Sequence, residues 1–480
     1  MRYFFQTAFL SSLLLFSSFF IFSEESLPEL GNASSSAISV EQEYKLGRLF
    51  VAQIRGGTPQ YEEPLVLDYL EHLIYRLSEY SQLNDRRFEI ILIDEKSINA
   101  FAAPGGIIGI NAGLLFHSEK EGQLASVLTH ELAHLSQRHY ARRLQRQEDR
   151  SLANALIILA SVALAAASSP EAIIAGTQVL SQQAMSYSRS NEQEADRIGF
   201  LNLVSSGYDP VSTSEIFEKL QQLSRLSGAN ELEFLRSHPL TKKRISDSAA
   251  RTTQIKKRND YKDSLSFYLV RQKISLEYFK NSRQAVSQKR MEYRKSNSIN
   301  EEITYGYGLS LALSKDNKHN EALELARDTL KLDNENLILQ TNLLEIHIKA
   351  KNGLEALSLG KKLLELNPGN YPISMLYVQA LMDAMEYDEA EIILKDLSLE
   401  RSYDPLVWYW LAEVKGLNKK IIGLHQARAE YFFLTGRYDS SIEHLNFALE
   451  LSGNNFQLTE MIRDKIERVF RTKEQLKEAS

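Results

Sequence analysis

The chain has 480 residues, 43% of them hydrophobic, with no cysteine and a formal net charge of −6. That length allows two or more domains with sizeable cores, and the mild negative charge is no nucleic-acid footprint. The lack of cysteine excludes disulfides and lipid attachment through an N-terminal Cys, but does not argue against an oxidising compartment. Arg2 precedes an apolar run from Phe4 to Phe22, and Ser23-Glu24-Glu25 opens a polar stretch, the layout of a secretory signal over residues 1–23. Ile21 and Ser23 are not the small-x-small pair of a standard cleavage site, so an uncleaved inner-membrane anchor is the alternative. Export to a bacterial periplasm is expected, with a disordered lead over residues 24–39.

Phe88 to Ile93 reads as a strand, and Ala102-Ala103-Pro104-Gly105-Gly106 as a turn into a second strand ending near Ile110. A plain core hairpin and an edge strand that pairs with an extended substrate both fit. The glycines permit close backbone approach, but without a Lys-Ser/Thr or G-x-G-x-x-G they make no phosphate loop. Ser118 and Glu121 predict a capping box, and Leu124, Leu128 and Leu135 give the following helix an apolar face. On that helix His130-Glu131-Leu132-Ala133-His134 sets two imidazoles on one face a turn apart, near enough to grip one metal ion. Two neutral imidazoles and one oxygen ligand leave a tetrahedral zinc open to a water, whose pKa falls to about 7. Glu131 cannot easily join the same coordination sphere, yet can reach that water as general base. The pattern resembles the zincin motif of peptide-bond hydrolysis. The alternatives are iron, which accepts similar ligands, and a solvated helix that carries the pattern by chance.

The metzincin route to a third ligand fails, because its positions are Gln137 and Tyr140. Ser190 with Gln193 predicts a second capping box, opening a helix to Gly207 with Glu192 in its first turn and Asp196 one turn on. Glu192 is a candidate ligand and Asp196 an acceptor for a ligand histidine's free N–H; the plainer reading is acidic charge at a helix start. Between the two motifs, Leu152 to Ala167 and Ala172 to Leu180 are apolar but too short or interrupted for a membrane pass. A lid or plug over the cleft is expected, with peripheral membrane contact as the alternative. His139 is expected at the surface or behind a ligand, and His72, His117, His319, His347, His425 and His444 show no ligand spacing. The charged stretch Arg251 to Lys262 reads as the connection between domains at 40–258 and 259–480.

Glu321-Ala322-Leu323, Glu355-Ala356-Leu357 and Glu389-Ala390 recur every 34 residues, the tetratricopeptide period, with loop signals at Asp333-Asn334, Asn367-Pro368 and Asp404-Pro405. Tyr387-Asp388 reappears as Tyr438-Asp439, which predicts an inserted helix near Ile421 to Phe433. Stacked helix pairs form a concave surface for peptides or partner proteins. Trp408, Tyr409 and Trp410 read as packing residues.

The H-E-L-A-H run with Gln137-Arg138-His139, the run from Ser188 to Gly199, and Ser237-His238-Pro239-Leu240 with Arg244 resemble the M48 family of metallopeptidases. The likeness covers most of the chain from about Val40 onward. It implies a mostly α fold: a zincin-like α+β metallopeptidase domain with a small sheet, then an α-helical tetratricopeptide solenoid. It also implies one Zn2+ per chain on His130, His134 and Glu192, with Glu131 as general base and Asp196 behind the ligands. His238 matches a histidine that approaches the metal from a loop and holds the enzyme latent. Oxyanion stabilisation by His238 or Arg244, and a structural role for His238 before Pro239, stay open. The resemblance further implies misfolded or stalled outer-membrane proteins as substrates and a barrel-assembly complex as the docking partner of the repeats. The rival reading is a chaperone-like adaptor with a mostly silent metal site.

Overall fold

The computed structural model describes residues 39–146, 188–227, 233–255, 261 and 263–479. The expected signal, the lead up to residue 38, the apolar stretches Leu152 to Ala167 and Ala172 to Leu180, and residues 256–260 of the connection lie outside them. Ser39, the last residue of the expected lead, is a helix cap: it accepts from Gln42 N, and the Gln42 side chain accepts from its own N–H at 2.8 Å, opening α1 (Val40–Gly57). α2 (Pro64–Ser78) follows with Pro at its start, where a missing N–H costs nothing.

The expected strands are β1 (Glu89–Ile93) and β3 (Ile107–Asn111). They are not a hairpin but a parallel pair, because β2 (Ala100–Ala103) intervenes and runs antiparallel to β3, giving the order β1-β3-β2. A period-two reading misses β2, since Ala100-Phe101-Ala102-Ala103 is buried on both faces and does not alternate. Gly105 and Gly106 both have φ +76, and added Cβ atoms would meet Glu43 O at 2.7 Å and Arg87 O at 2.5 Å. The turn thus needs glycine for its own packing.

α3 (Ala112–His117) leads into α4 (Glu121–Ser136), which is buried from Glu121 to His134. The capping box expected of Ser118 and Glu121 does not form. Ser118 Oγ donates to Leu114 O, and the buried Glu121 carboxylate accepts from Tyr69 Oη at 2.8 Å and from Ser264 N and Oγ at 2.9 and 2.8 Å. The Gly122 N–H donates to Asp263 at 3.1 Å. In a buried first turn, distant residues satisfy the donors that a surface helix satisfies locally.

Arg138, at φ 47, turns the chain into α5 (His139–Arg146). Next come α6 (Arg189–Ser205), α7 (Val211–Ser227), α8 (Glu233–Ser237), α9 (Lys242–Gln254) and α10 (Leu265–Ser275). One core gathers α2, the sheet, α4 and α7 with Phe267, Val270 and Ile274 of α10, while Leu269 on the same helix enters the next core. The two halves therefore share α10.

Beyond α11 (Ser282–Arg294) the helices pair: α12 (Ile299–Lys315) with α13 (His319–Leu332), α14 (Leu337–Lys349) with α15 (Gly353–Leu366), and α16 (Tyr371–Asp383) with α17 (Tyr387–Glu400). α18 (Pro405–Leu417) pairs with α19 (Ile421–Leu434), and α20 (Tyr438–Leu451) with α21 (Phe456–Ala479). The second helices begin at 319, 353, 387 and 421, one period apart throughout. Tyr438 opens a first helix, so the expected insertion does not exist and α19 is the regular second helix of its pair. Trp408 and Trp410 pack against the repeat core, as expected, whereas Tyr409 between them is exposed.

The repeats rest on the N-terminal half. Leu67 of α2 packs into their core, Arg401 grips Glu71 at 2.6 and 2.9 Å, and Arg55 donates to Tyr403 O at 3.0 Å. The chain itself thus covers part of the surface that stacked repeats offer to partners. Lys273 of α10 reaches Glu345 at 2.6 Å and Glu63 at 3.3 Å. Burial pushes Glu345 up, but Lys273 and Lys349 outweigh it and hold its pKa at about 2, against an ordinary 4.5. A carboxylate depressed by folding stabilises above its unfolded pKa and loses that contribution as pH falls through the folded one. The unfolding temperature should therefore drop as pH falls from 4.5 toward 2, with a flatter acid limb in Glu345→Gln. Calorimetry over a pH series checks this, and parallel curves would contradict it. Among the described residues, no helix is long and apolar enough to cross a membrane.

Candidate metal centre

α4 and α6 cross almost backbone to backbone. A Cβ on Gly199 would stand 2.9 Å from both the Cα and the N of His130, and Ala133, Ala195 and Ile198 fill the seam. Gly199→Ala should therefore force the helices apart and destabilise the protein by about 1–3 kcal/mol, read as a lowered unfolding temperature. An unchanged melt would mean that this seam can yield. α6 opens two residues before the predicted cap, with Ser188 rather than Ser190 accepting from Asn191 N at 3.2 Å. Glu192 still falls in the first turn.

The crossing brings His130, His134 and Glu192 together, and His238 joins them from the end of α8. His130 Nε2 lies 3.1 Å from His134 Nε2 and 3.3 Å from His238 Nδ1. Glu192 Oε1 lies 3.4 Å from His134 Nε2 and 3.1 Å from His238 Nδ1. Neighbouring donors bonded to one tetrahedral ion at about 2.0–2.1 Å stand roughly 3.3 Å apart; the pairs above match that spacing and all four atoms lie within 4.8 Å of one another, so the residues fit a metal. Among the described residues it is the one group of three or more such donors close enough to hold an ion.

Glu131 is fully buried, and neither carboxylate oxygen has a hydrogen-bond partner. His238 Nε2 stands 3.4 Å from its Oε1. A buried carboxylate with no well-aligned hydrogen bond costs stability, which favours a place for a ligand over a role in folding. Burial raises its pKa, against the pull of His238 and His130.

Asp196 Oδ1 lies 3.1 Å from His130 Nδ1. Arg244 clamps Asp196 through two bonds of 2.7 Å, reaches Glu192 at 2.8 Å, and donates to Pro239 O at 3.1 Å. These acceptors hold the guanidinium directly behind the metal donors. Burial pushes Asp196 up, but Arg244 and His130 bring it down to about 2. Burial pulls His130 down, and Asp196 and Glu192 overcome this to set it at about 9. Glu192 ends well below the usual carboxylate range, since His238, His130 and His134 outweigh its burial.

His139 is the surprise. It is fully buried, with Nδ1 2.8 Å from His134 Nδ1 and Nε2 3.1 Å from Glu194 Oε2, where Arg142 also donates at 2.9 Å. Of the two positions expected for His139, surface or behind a ligand, the structure takes the second; Glu194 is missed because α4 reads as continuing unbroken through Arg138. The other histidines lie outside the cluster; His425 and His444 pair with each other at 2.8 Å. A cavity of about 390 Å3 runs beside the edge strand β2 and the centre, lined in part by Ala102, Pro104, His134, Arg138 and Glu194.

The model of peptidase family M48 matches residues 64–252, and a tetratricopeptide repeat model matches residues 347–414. The beta-barrel assembly-enhancing protease of Escherichia coli O157:H7 is 32% identical over 431 residues, 89% of this chain and 87% of that protein. Its counterpart in Yersinia pestis is 27% identical over 88% and 87% of the two chains. A mitochondrial metalloendopeptidase, OMA1 of Arabidopsis thaliana, is 31% identical over 34% of this chain and 31% of its own.

Proposed function

Because the chain belongs to peptidase family M48, we propose that it is a zinc metalloendopeptidase of the bacterial periplasm. It hydrolyses peptide bonds in misfolded or stalled outer-membrane proteins and docks through its tetratricopeptide repeats to a barrel-assembly complex. The observation that carries the reading is the set of four donors within 4.8 Å of one another beside the buried Glu131 carboxylate. The names of the Escherichia coli and Yersinia pestis relatives, which tie those proteases to beta-barrel assembly, support this reading.

His130, His134 and Glu192 hold the ion, one per chain. What zinc supplies there is Lewis acidity, which polarises a carbonyl oxygen and lowers a water's pKa to about 7. Glu131 takes the proton of the attacking water and delivers it to the leaving amine. Asp196 keeps His130 oriented, and Arg244 positions both Asp196 and Glu192. The edge strand β2 pairs with an extended substrate lying along the cavity, which accepts many sequences through main-chain bonds.

His238 closes the donor set. Were His238 Nδ1 also bound, a four-coordinate ion would have no place for a water, so we read this arrangement as latent. Purified wild type and His238→Ala should both carry zinc, and the variant should degrade an unfolded model protein several-fold faster. Zinc in both with no cleavage by either would turn the reading to the adaptor, which the closed donor set also favours.

A further inference from the structure

We propose that His139, with Glu194 and Arg142, is a positioning relay that fixes the tautomer and orientation of His134. This rests on the metal-centre reading and extends it to residues that touch no ion. A carboxylate can only accept, so the Nε2 of His139, 3.1 Å from Glu194, carries the ring hydrogen. The Nδ1 of the neutral ring is then an acceptor, and His134 Nδ1, 2.8 Å away, donates to it. That leaves His134 Nε2 bare, with its lone pair toward His130 Nε2 and Glu192 Oε1. A flipped tautomer at any link would put a proton where the metal bond has to form.

The other ligand histidine is set in the same way with one link fewer. His130 Nδ1 donates directly to Asp196, and Arg244 secures that carboxylate as Arg142 secures Glu194. Both relays therefore run from a ligand through an acidic residue of α6 to an arginine. His139 bridges the extra distance to Glu194, and the αL turn at Arg138 brings its ring behind His134.

The test is zinc titration of the full chain against a chelating dye, for the parent, His139→Phe, Glu194→Ala and Glu194→Gln. Cobalt(II) absorption gives a second readout, and thermal unfolding without metal monitors the fold. His139→Phe and Glu194→Ala should weaken zinc binding about 10- to 100-fold and alter the cobalt bands, at little change in metal-free unfolding temperature. Glu194→Gln still accepts through its amide oxygen and should recover most of the parent affinity. Affinities within about threefold of the parent in both deletions would overturn the relay. If His139→Phe does not fold, the two Glu194 variants decide alone. A parent that binds no zinc would overturn the metal centre itself, a result distinct from equal binding by all variants.

Discussion

Glu131→Gln should lower the cleavage of an unfolded protein by about 10²- to 10⁴-fold while leaving the metal content unchanged. The substitution keeps the shape of the side chain and removes only its capacity to take a proton. It breaks no hydrogen bond of the fold, because neither oxygen of Glu131 makes one. It also removes a buried charge, so the variant should melt no lower than the parent. Activity and metal content measured on one preparation separate the outcomes. Activity lost together with the metal would make Glu131 part of the binding site, and activity retained would require another base.

The second large effect is on stability. Arg244→Met should cost about 3–5 kcal/mol in the metal-free protein, because it strands Asp196 and Glu192 as buried carboxylates without their shared cation. Lysine should not rescue it, since the two-pronged grip on Asp196 needs a planar fork. Metal should recover part of the loss by neutralising Glu192, so the penalty should shrink in the loaded protein. Denaturant unfolding with and without zinc measures both numbers. A loss below about 1 kcal/mol would show that water replaces the guanidinium and that this network is not what holds α9 to α6.

The parts that were legible in the sequence follow regular spacing. Two histidines four apart could share one face of a helix only if the helix was real, and the 34-residue recurrence fixed the repeat helices with little context. What stayed hidden depends on contacts between distant segments. An N-terminal donor of α4 is met by Asp263, and the Glu121 side chain accepts from Ser264 instead of closing a box, so no local cap was there to read. β2 escaped notice because both of its faces are buried. Which of its two expected positions His139 takes is decided by a single αL residue, Arg138, of a type that seldom adopts that conformation. The reading of Tyr438 as a displaced repeat confused the two helices of a pair, which differ by half a period.

The bonds from Asp263 and Ser264 to the first turn of α4 also have a mechanical meaning. Those two residues stand immediately before α10, the helix through which the chain enters its repeats. A displacement of the repeats relative to the N-terminal half passes along the chain through α10. It is then shared with the turn that leads, two turns later, to His130. The same helix that carries the ligands is thus anchored at its N-terminal end to the segment that leads into the repeats.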